Sequence, residues 1–131
     1  MSDVLNHHAT VIIDSALVLQ NQHHGELTEK QQKAIKTIIG NAEKFVHLYA
    51  EFQMLALGDV PSTLRHELGN QLTPIRGYSD LLTMGVIGTL NTAQLSHVEA
   101  IYDSTNALRE EVDNIVAQAR QMSNLKSNRT A

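Results

Sequence analysis

The sequence predicts an all-α protein: an antiparallel four-helix bundle built from two helical hairpins. Apolar residues recur at steps of three and four along almost the whole chain, which is the spacing of one face of a helix. Only two prolines and seven glycines interrupt the 131 residues. Aromatic residues make up 4% of the chain, so its core must be built from Leu, Ile, Val and Ala. Few, long helices follow from this composition.

The first two helices are predicted from apolar stripes and from one capping signal. The first runs over about Asp3–Gln22. The second opens at Thr28, because Thr28 and Gln31 have the spacing of a capping box. It is predicted to end near Leu57, with Gly58 as its C-terminal cap. The stripes are Leu5, Ala9, Ile12, Ala16 and Leu19 in the first helix, and Ile35, Ile38, Ala42, Phe45, Tyr49 and Phe52 in the second.

The third and fourth helices follow the same logic. The third starts near Pro61 or Ser62, since proline is tolerated in a first turn, and it ends at the loop Gly85–Gly88. The fourth opens at Asn91, with Gln94 at capping-box spacing. Their stripes are Leu64, Leu68, Leu72, Ile75, Tyr78 and Leu82, then Val98, Ile101, Leu108, Val112, Ile115 and Ala119. Three methionines are expected to fill gaps in the core: Met54, Met84 and Met122.

The predicted organisation is an N-terminal hairpin at 1–58, a second hairpin at 59–122 and a polar, frayed tail at 123–131. The two hairpins resemble each other. Gly25–Thr28 and Gly88–Asn91 lie 63 positions apart (88 − 25) and share a Gly-x-Leu-cap pattern. At this offset other core positions also match: Leu5 with Leu68, Ile12 with Ile75, Leu19 with Leu82 and Ile38 with Ile101. Either the hairpins arose by duplication or two amphipathic hairpins align by chance.

Composition excludes several classes of function. The net charge is −4 and no basic patch stands out, so nucleic acid is not an expected partner. There is no cysteine, and no apolar stretch is long enough to cross a bilayer. Adjacent histidines diverge on a helix, so the pairs His7-His8 and His23-His24 predict no metal site. We expect a cytoplasmic protein with no metal, no cofactor and no membrane partner.

Potential chemistry is concentrated in Leu64–Tyr78. At about 100° per residue, the leucines of this helix fall on one side. His66, Asn70, Thr73 and Gly77 cluster on the opposite side, so His66 is predicted to be exposed. Glu67 flanks His66 and could polarise the imidazole, whereas Asn70 lies one turn on and could orient a phosphoryl oxygen.

The same face is predicted to dock a partner. Pro74 has no amide hydrogen and clashes with the carbonyl of Asn70, which predicts a bend and a free carbonyl below His66. Gly69 and Gly77 keep the surface low beside it. The expected docking residues are Gly69, Thr73, Pro74 and Gly77.

The stretch from His66 to Leu82 reads His-Glu-Leu, three variable residues, Leu-Thr-Pro-Ile, then Gly-Tyr and Leu-Leu. This pattern resembles the H-box in the dimerisation and histidine-phosphotransfer (HisKA-like) hairpin of two-component sensor histidine kinases. The resemblance covers about Leu64 to Arg120, with departures at Gly69 and Gln71. It implies that His66 is the phosphoacceptor, Glu67 the acid/base and Asn70 a phosphatase-type polar group. No Gly-x-Gly pair is present, so we expect no autophosphorylation from ATP by this chain alone.

The resemblance implies a phosphorelay component, either a histidine-phosphotransfer protein or a phosphatase-like regulator. The implied partner is a response regulator receiver domain, a histidine kinase, or both. Two alternatives stay open: an interaction module that docks such a partner without chemistry, and a structural bundle with no signalling role. Two assemblies also stay open. One chain could close the bundle as a pseudo-dimer, or two chains could pair as a homodimer through the second hairpin.

Overall fold

A computed structural model describes residues 2–55 and 63–130, with side chains over 4–55 and 63–125. Four helices and no strand are present in these ranges: α1 (Ser2–Gln20), α2 (Glu29–Gln53), α3 (Leu64–Met84) and α4 (Thr92–Thr130). Each helix packs against the next, and α1 also packs against α4. The all-α prediction is confirmed, and these contacts fit a four-helix bundle around one shared core.

The predicted apolar stripes form that core. Nearly all their members are buried; Phe52 and Tyr78 are only partly buried and pack against its edge. The largest fully buried side chains come from all four helices, as with Ile12, Phe45 and Ile75. Removing this apolar surface from water is the main stabilising term. The methionine prediction is wrong, because Met54, Met84 and Met122 are 88%, 72% and 41% exposed.

Some helix ends differ from the prediction. α1 stops at Gln20, and Gln22 takes a positive φ of 55° in the turn that follows. α2 stops at Gln53 with Met54 as its C-cap, before the predicted end. The predicted cap Gly58 and the predicted start of the third helix lie outside the described residues. α4 continues to Thr130, past the predicted start of the tail at 123, and the fraying of this segment stays a prediction.

Both capping boxes are formed. Thr28 Oγ1 accepts from the Gln31 amide at 3.1 Å, and Gln31 Oε1 accepts from the Thr28 amide at 2.7 Å. The corresponding distances between Asn91 and Gln94 are 2.8 and 2.9 Å. These bonds satisfy amides that the first turn of a helix leaves without partners, so they set where α2 and α4 begin.

The two capping residues also link the loops to each other. Thr28 Oγ1 donates to the carbonyl of Ile87 at 2.8 Å, and Asn91 Nδ2 donates to the carbonyl of His24 at 2.7 Å. The two bonds correspond at the offset of 63, because 28 and 24 map onto 91 and 87. Each half therefore caps its own helix and holds the loop of the other half.

Glycine is required at the point where the loops meet. Gly88 has a φ of +137°, and a Cβ there would lie 2.6 Å from Gln31 Nε2 and 2.9 Å from Thr28 Cγ2. Its counterpart Gly25 has a φ of +150°, and a Cβ there would lie 3.0 Å from Asn91 Nδ2. Both the left-handed backbone and the close approach exclude a larger residue.

Candidate functional site

The candidate site is an open groove on the N-terminal half of α3. His66 lies in the first turn of that helix and is exposed, as predicted from the leucine stripe on the opposite side. Asn70 is also exposed and follows one turn later. The groove encloses about 390 Å³ and brings α3 together with one residue of α4; it is lined by Arg65, His66, Gly69, Asn70, Thr73 and Arg120.

Two arginines give this groove a positive character. Arg65 precedes His66 on α3, and its Nε lies 2.9 Å from Asp113 Oδ1 on α4. Arg120 is exposed and enters the groove from α4. In the part of the chain that the structure describes, no carboxylate lies within ion-pairing distance of Arg120. The groove therefore presents an imidazole, an amide and a guanidinium to the same volume, a combination suited to an anionic group.

A third arginine, Arg109 of α4, holds Thr73 at the edge of the groove. Arg109 Nη2 donates to Thr73 Oγ1 at 3.3 Å, while Thr73 Oγ1 donates to the carbonyl of Gly69 at 3.1 Å. Arg109, together with Arg65, also lines an adjoining pocket of about 200 Å³ between α3 and α4. The groove wall is thus held by contacts between two helices rather than by α3 alone.

Glu67 contacts a different residue from the one we expected. Its Oε1 accepts a hydrogen bond from Thr63 Oγ1 at 3.3 Å, across the N-terminal turn of α3. Thr63 makes no side-chain capping bond of its own to the helix. No hydrogen bond joins Glu67 to His66 in the described ranges, so the acid/base role of Glu67 stays a prediction.

The residues expected to dock a partner lie along the same helix. Gly77 is exposed, and a Cβ at Gly69 or Gly77 would meet nothing within 4 Å. Open space beside both glycines gives α3 a low, accessible surface. Pro74 is partly buried inside the helix, where it supplies no amide to the carbonyl of Asn70. The bend at Pro74 and the docking role of this face stay predictions.

Sequence reasoning placed His66 and Asn70 on one face but missed the arginines of α4. Face assignment needs only the helical repeat of one segment, whereas Arg120 reaches the groove, and Arg109 reaches Thr73 at its edge, through the packing of a second helix. One signal was available for Arg109. Arg109 lies about as many residues after the loop at Gly85–Gly88 as His66 lies before it. If α3 and α4 fold back on each other at that loop, the two residues come to similar heights along the bundle axis.

Two negative findings complete the description. Within residues 2–55 and 63–130, no three His, Asp or Glu side chains are grouped so that they could hold a metal ion. In the same ranges, no helix combines the length and the apolar character needed to span a membrane.

Comparison with known proteins gives one informative similarity. The chain is 28% identical over 116 residues to the circadian input-output histidine kinase CikA of Synechococcus elongatus. The alignment covers 87% of this chain but only 15% of that protein. No family model matches the sequence, and no solved structure matches it. Most of this chain is therefore similar to a short region of a histidine kinase.

Proposed function

We propose that this chain is a phosphorelay component that exchanges a phosphoryl group with a response regulator through His66. The observation that carries the proposal is the groove in which exposed His66 and Asn70 of α3 face Arg120 of α4. The similarity to a histidine kinase over most of the chain supports the same conclusion. We infer a specific correspondence to the HisKA-like hairpin from the residues around His66.

The proposed step is phosphoryl transfer between an aspartyl phosphate and an imidazole. A ring nitrogen of His66 attacks phosphorus, the new P–N bond forms, and the P–O bond to the aspartate breaks. The carboxylate leaves with the bonding electron pair, and the imidazole loses its N–H proton to solvent or to Glu67. In the reverse direction, the same step transfers the phosphoryl group from His66 to the aspartate of a receiver domain. A kinase acting in trans can supply the phosphoryl group to His66.

The surroundings of His66 support this chemistry. Arg120 offers a guanidinium whose planar donors match phosphoryl oxygens, and Arg65, although paired with Asp113, places further N–H donors at the edge of the groove. His66 is also in the first turn of α3, where aligned peptide dipoles favour negative charge. Asn70 is placed one turn away to orient a water or a phosphoryl oxygen, as a phosphatase-type reaction requires.

We further propose that the fold is an antiparallel bundle of two duplicated hairpins closed by one chain. Two contacts support an antiparallel arrangement of α3 and α4. Arg65, early on α3, pairs with Asp113, whereas Arg76, later on α3, contacts Tyr102, which comes earlier on α4. The corresponding loop bonds of the two halves support the duplication. Light scattering coupled to gel filtration checks the closed form, since a dimer at micromolar concentration would contradict it.

The decisive experiment is phosphotransfer from a ³²P-labelled receiver domain of a response regulator or a labelled histidine kinase. We expect label on the wild type and none on His66→Gln. The matched control is His47→Gln, an exposed histidine on α2 outside the groove, which should be labelled like the wild type. Arg120→Gln should slow labelling by about tenfold, the usual scale for losing one charged hydrogen bond to a phosphoryl group.

The low surface at Gly69 and Gly77 favours a second candidate, a module that docks a kinase or receiver domain without chemistry. Unlabelled wild type that still forms a complex with the receiver domain would select this candidate. Wild type that neither accepts label nor binds would contradict both. An effect of Asn70→Ala on the lifetime of the receiver's phosphate, with labelling of His66 retained, would identify the phosphatase-like activity.

A further inference from the structure

A second groove lies between α2 and α3, towards the loop end of the molecule. It encloses about 450 Å³ and is lined by Lys30, Lys33, Ala34, Lys36, Thr37, Tyr78, Leu81 and Ile87. The three lysines are exposed, while Leu81 remains 38% exposed and Ile87 partly buried at the apolar floor. We define this surface as the lysine groove.

The charge of the lysine groove is uncompensated. No acidic side chain is among its lining residues, and no described carboxylate lies within ion-pairing distance of its lysines. The protein as a whole carries a net charge of −4, so the sign of the charge in this groove is opposite to that of the whole chain. Three of the five lysines of the chain are in this one groove.

The other half of the molecule has no equivalent. At the offset of 63, the three lysines correspond to Ala93, Ser96 and Glu99, which are exposed on α4. Packing does not dictate the residue type at exposed helix positions, so the lysines are not explained by the fold. Such a difference between otherwise corresponding surfaces indicates that this groove has a task of its own.

We propose that the lysine groove docks an acidic amphipathic helix of a partner protein. Carboxylates spaced along one face of that helix pair with the lysines on α2, while its apolar residues cover Leu81 and the neighbouring Val86, which is 63% exposed. The apolar residues beside the lysines favour an amphipathic protein segment over nucleic acid, because a phosphate backbone would leave Leu81 and Val86 uncovered.

This site is separate from the one at His66. Tyr78 and Leu81 follow His66 by three to four turns of α3, a rise of about 20 Å along the helix axis. A partner helix in the lysine groove therefore leaves the histidine accessible. The inference goes beyond the proposed phosphotransfer and does not depend on it.

The test measures fluorescence anisotropy of a labelled Leu/Glu amphipathic helical peptide titrated with the full chain. A Leu/Gln peptide of the same length is the control ligand. We expect the Leu/Glu peptide to bind more tightly than the control and its affinity to fall with added salt. Lys30→Gln/Lys33→Gln/Lys36→Gln should weaken binding by about tenfold or more, since exposed ion pairs contribute modestly but together. Leu81→Gln should weaken binding as well.

Matched variants separate this site from general charge attraction. Lys33→Gln should weaken peptide binding, whereas Lys44→Gln, an exposed lysine on α2 outside the groove, should not. His66→Gln should bind the peptide like the wild type, whatever the result of the labelling experiment. Equal binding by the triple variant, or equal losses for Lys33→Gln and Lys44→Gln, would overturn the proposal. So would lysine-dependent binding to phosphatidylserine vesicles without binding to the peptide, because a membrane would then be the partner.

Discussion

The two halves of the molecule share the contacts of their loops but differ in the charged side chains on their surfaces. At the loop end, capping boxes, glycines and loop-to-loop bonds correspond one to one at the offset of 63. At the His66 end, the arginines at 65, 109 and 120 have uncharged counterparts at 2, 46 and 57. Corresponding positions that hold the loops carry similar residues, whereas corresponding positions around the groove do not. The shared contacts account for the fold, and the differences mark the two surfaces on which our proposals rest.

The largest effect should come from breaking the core of either half. Ile12 and Ile75 occupy corresponding positions and are both 0% exposed. Replacing either by Ala removes buried methylenes and leaves a cavity, at a cost of about 2–5 kcal/mol in the free energy of unfolding. Urea denaturation should give similar losses for Ile12→Ala and Ile75→Ala. Leu17→Ala, at a 40% exposed position of α1, should cost far less; a near-neutral result at either isoleucine would show that the halves are not equivalent.

The next effect is expected at the glycines where the loops meet. Gly88→Ala should lower the unfolding free energy by about 1–3 kcal/mol, because it combines an unfavourable backbone angle with a close approach to Gln31. Gly25→Ala should cost less, since its nearest contacts begin at 3.0 Å. The control is Gly40→Ala within α2, where a Cβ meets nothing within 4 Å and helix propensity predicts a gain. Thermal unfolding that ranks Gly25→Ala as the worse variant would contradict the geometry.

Losing a cap should have a moderate effect. Thr28→Ala and Asn91→Ala each remove one capping bond and one bond to the opposite loop, for an expected loss of about 1–2 kcal/mol. Chemical denaturation should give nearly equal values if the loops are equivalent. Thr37→Ala is the control, because its hydroxyl only bonds back to the carbonyl of Lys33 within α2. A cost at Thr37 as large as at Thr28 would contradict a special role for the caps.

The smallest effect should be a loss of stability at alkaline pH that depends on Tyr49 of α2. Burial raises the pKa of Tyr49, a contact with Gln53 lowers it, and the charge of Glu111 raises it further. The unfolded chain then ionises this phenol first, so stability is lost as the pH rises above about 10. The corresponding residue Val112 has no such group. Tyr49→Phe should lose less stability than the wild type in urea denaturation between about pH 9 and about pH 11; an identical loss would contradict the assignment.

Sequence periodicity predicted the parts of the fold that depend on local or repeated signals. The stripe at Leu68 and Leu72 is buried because the helical repeat alone selects a face. The boxes at Thr28 and Asn91 are formed because they need only residues three apart. The end of α2 was misjudged because apolar residues continue past Gln53, and an apolar pattern does not reveal whether a partner covers it; Leu55 is in fact 44% exposed.

The candidate site was predictable to the same extent. His66 and Asn70 share a face by repeat alone, whereas Arg120 enters from a helix whose level depends on packing. The contact of Glu67 with Thr63 depends on a side-chain rotamer that no spacing rule determines. Contacts within one helix were therefore accessible from the sequence, and contacts between helices were not.

The reciprocal loop bonds have a further consequence for assembly. When two hairpins are separate molecules, each bond of this kind forms only after an encounter, and the stability of the bundle rises with protein concentration. Joining the hairpins through one linker replaces that encounter by an effective concentration in the millimolar range. A chain of this design can therefore keep its bundle intact when it is present at very few copies. In the single-chain form that we propose, His66 has no competing copy on the opposite face.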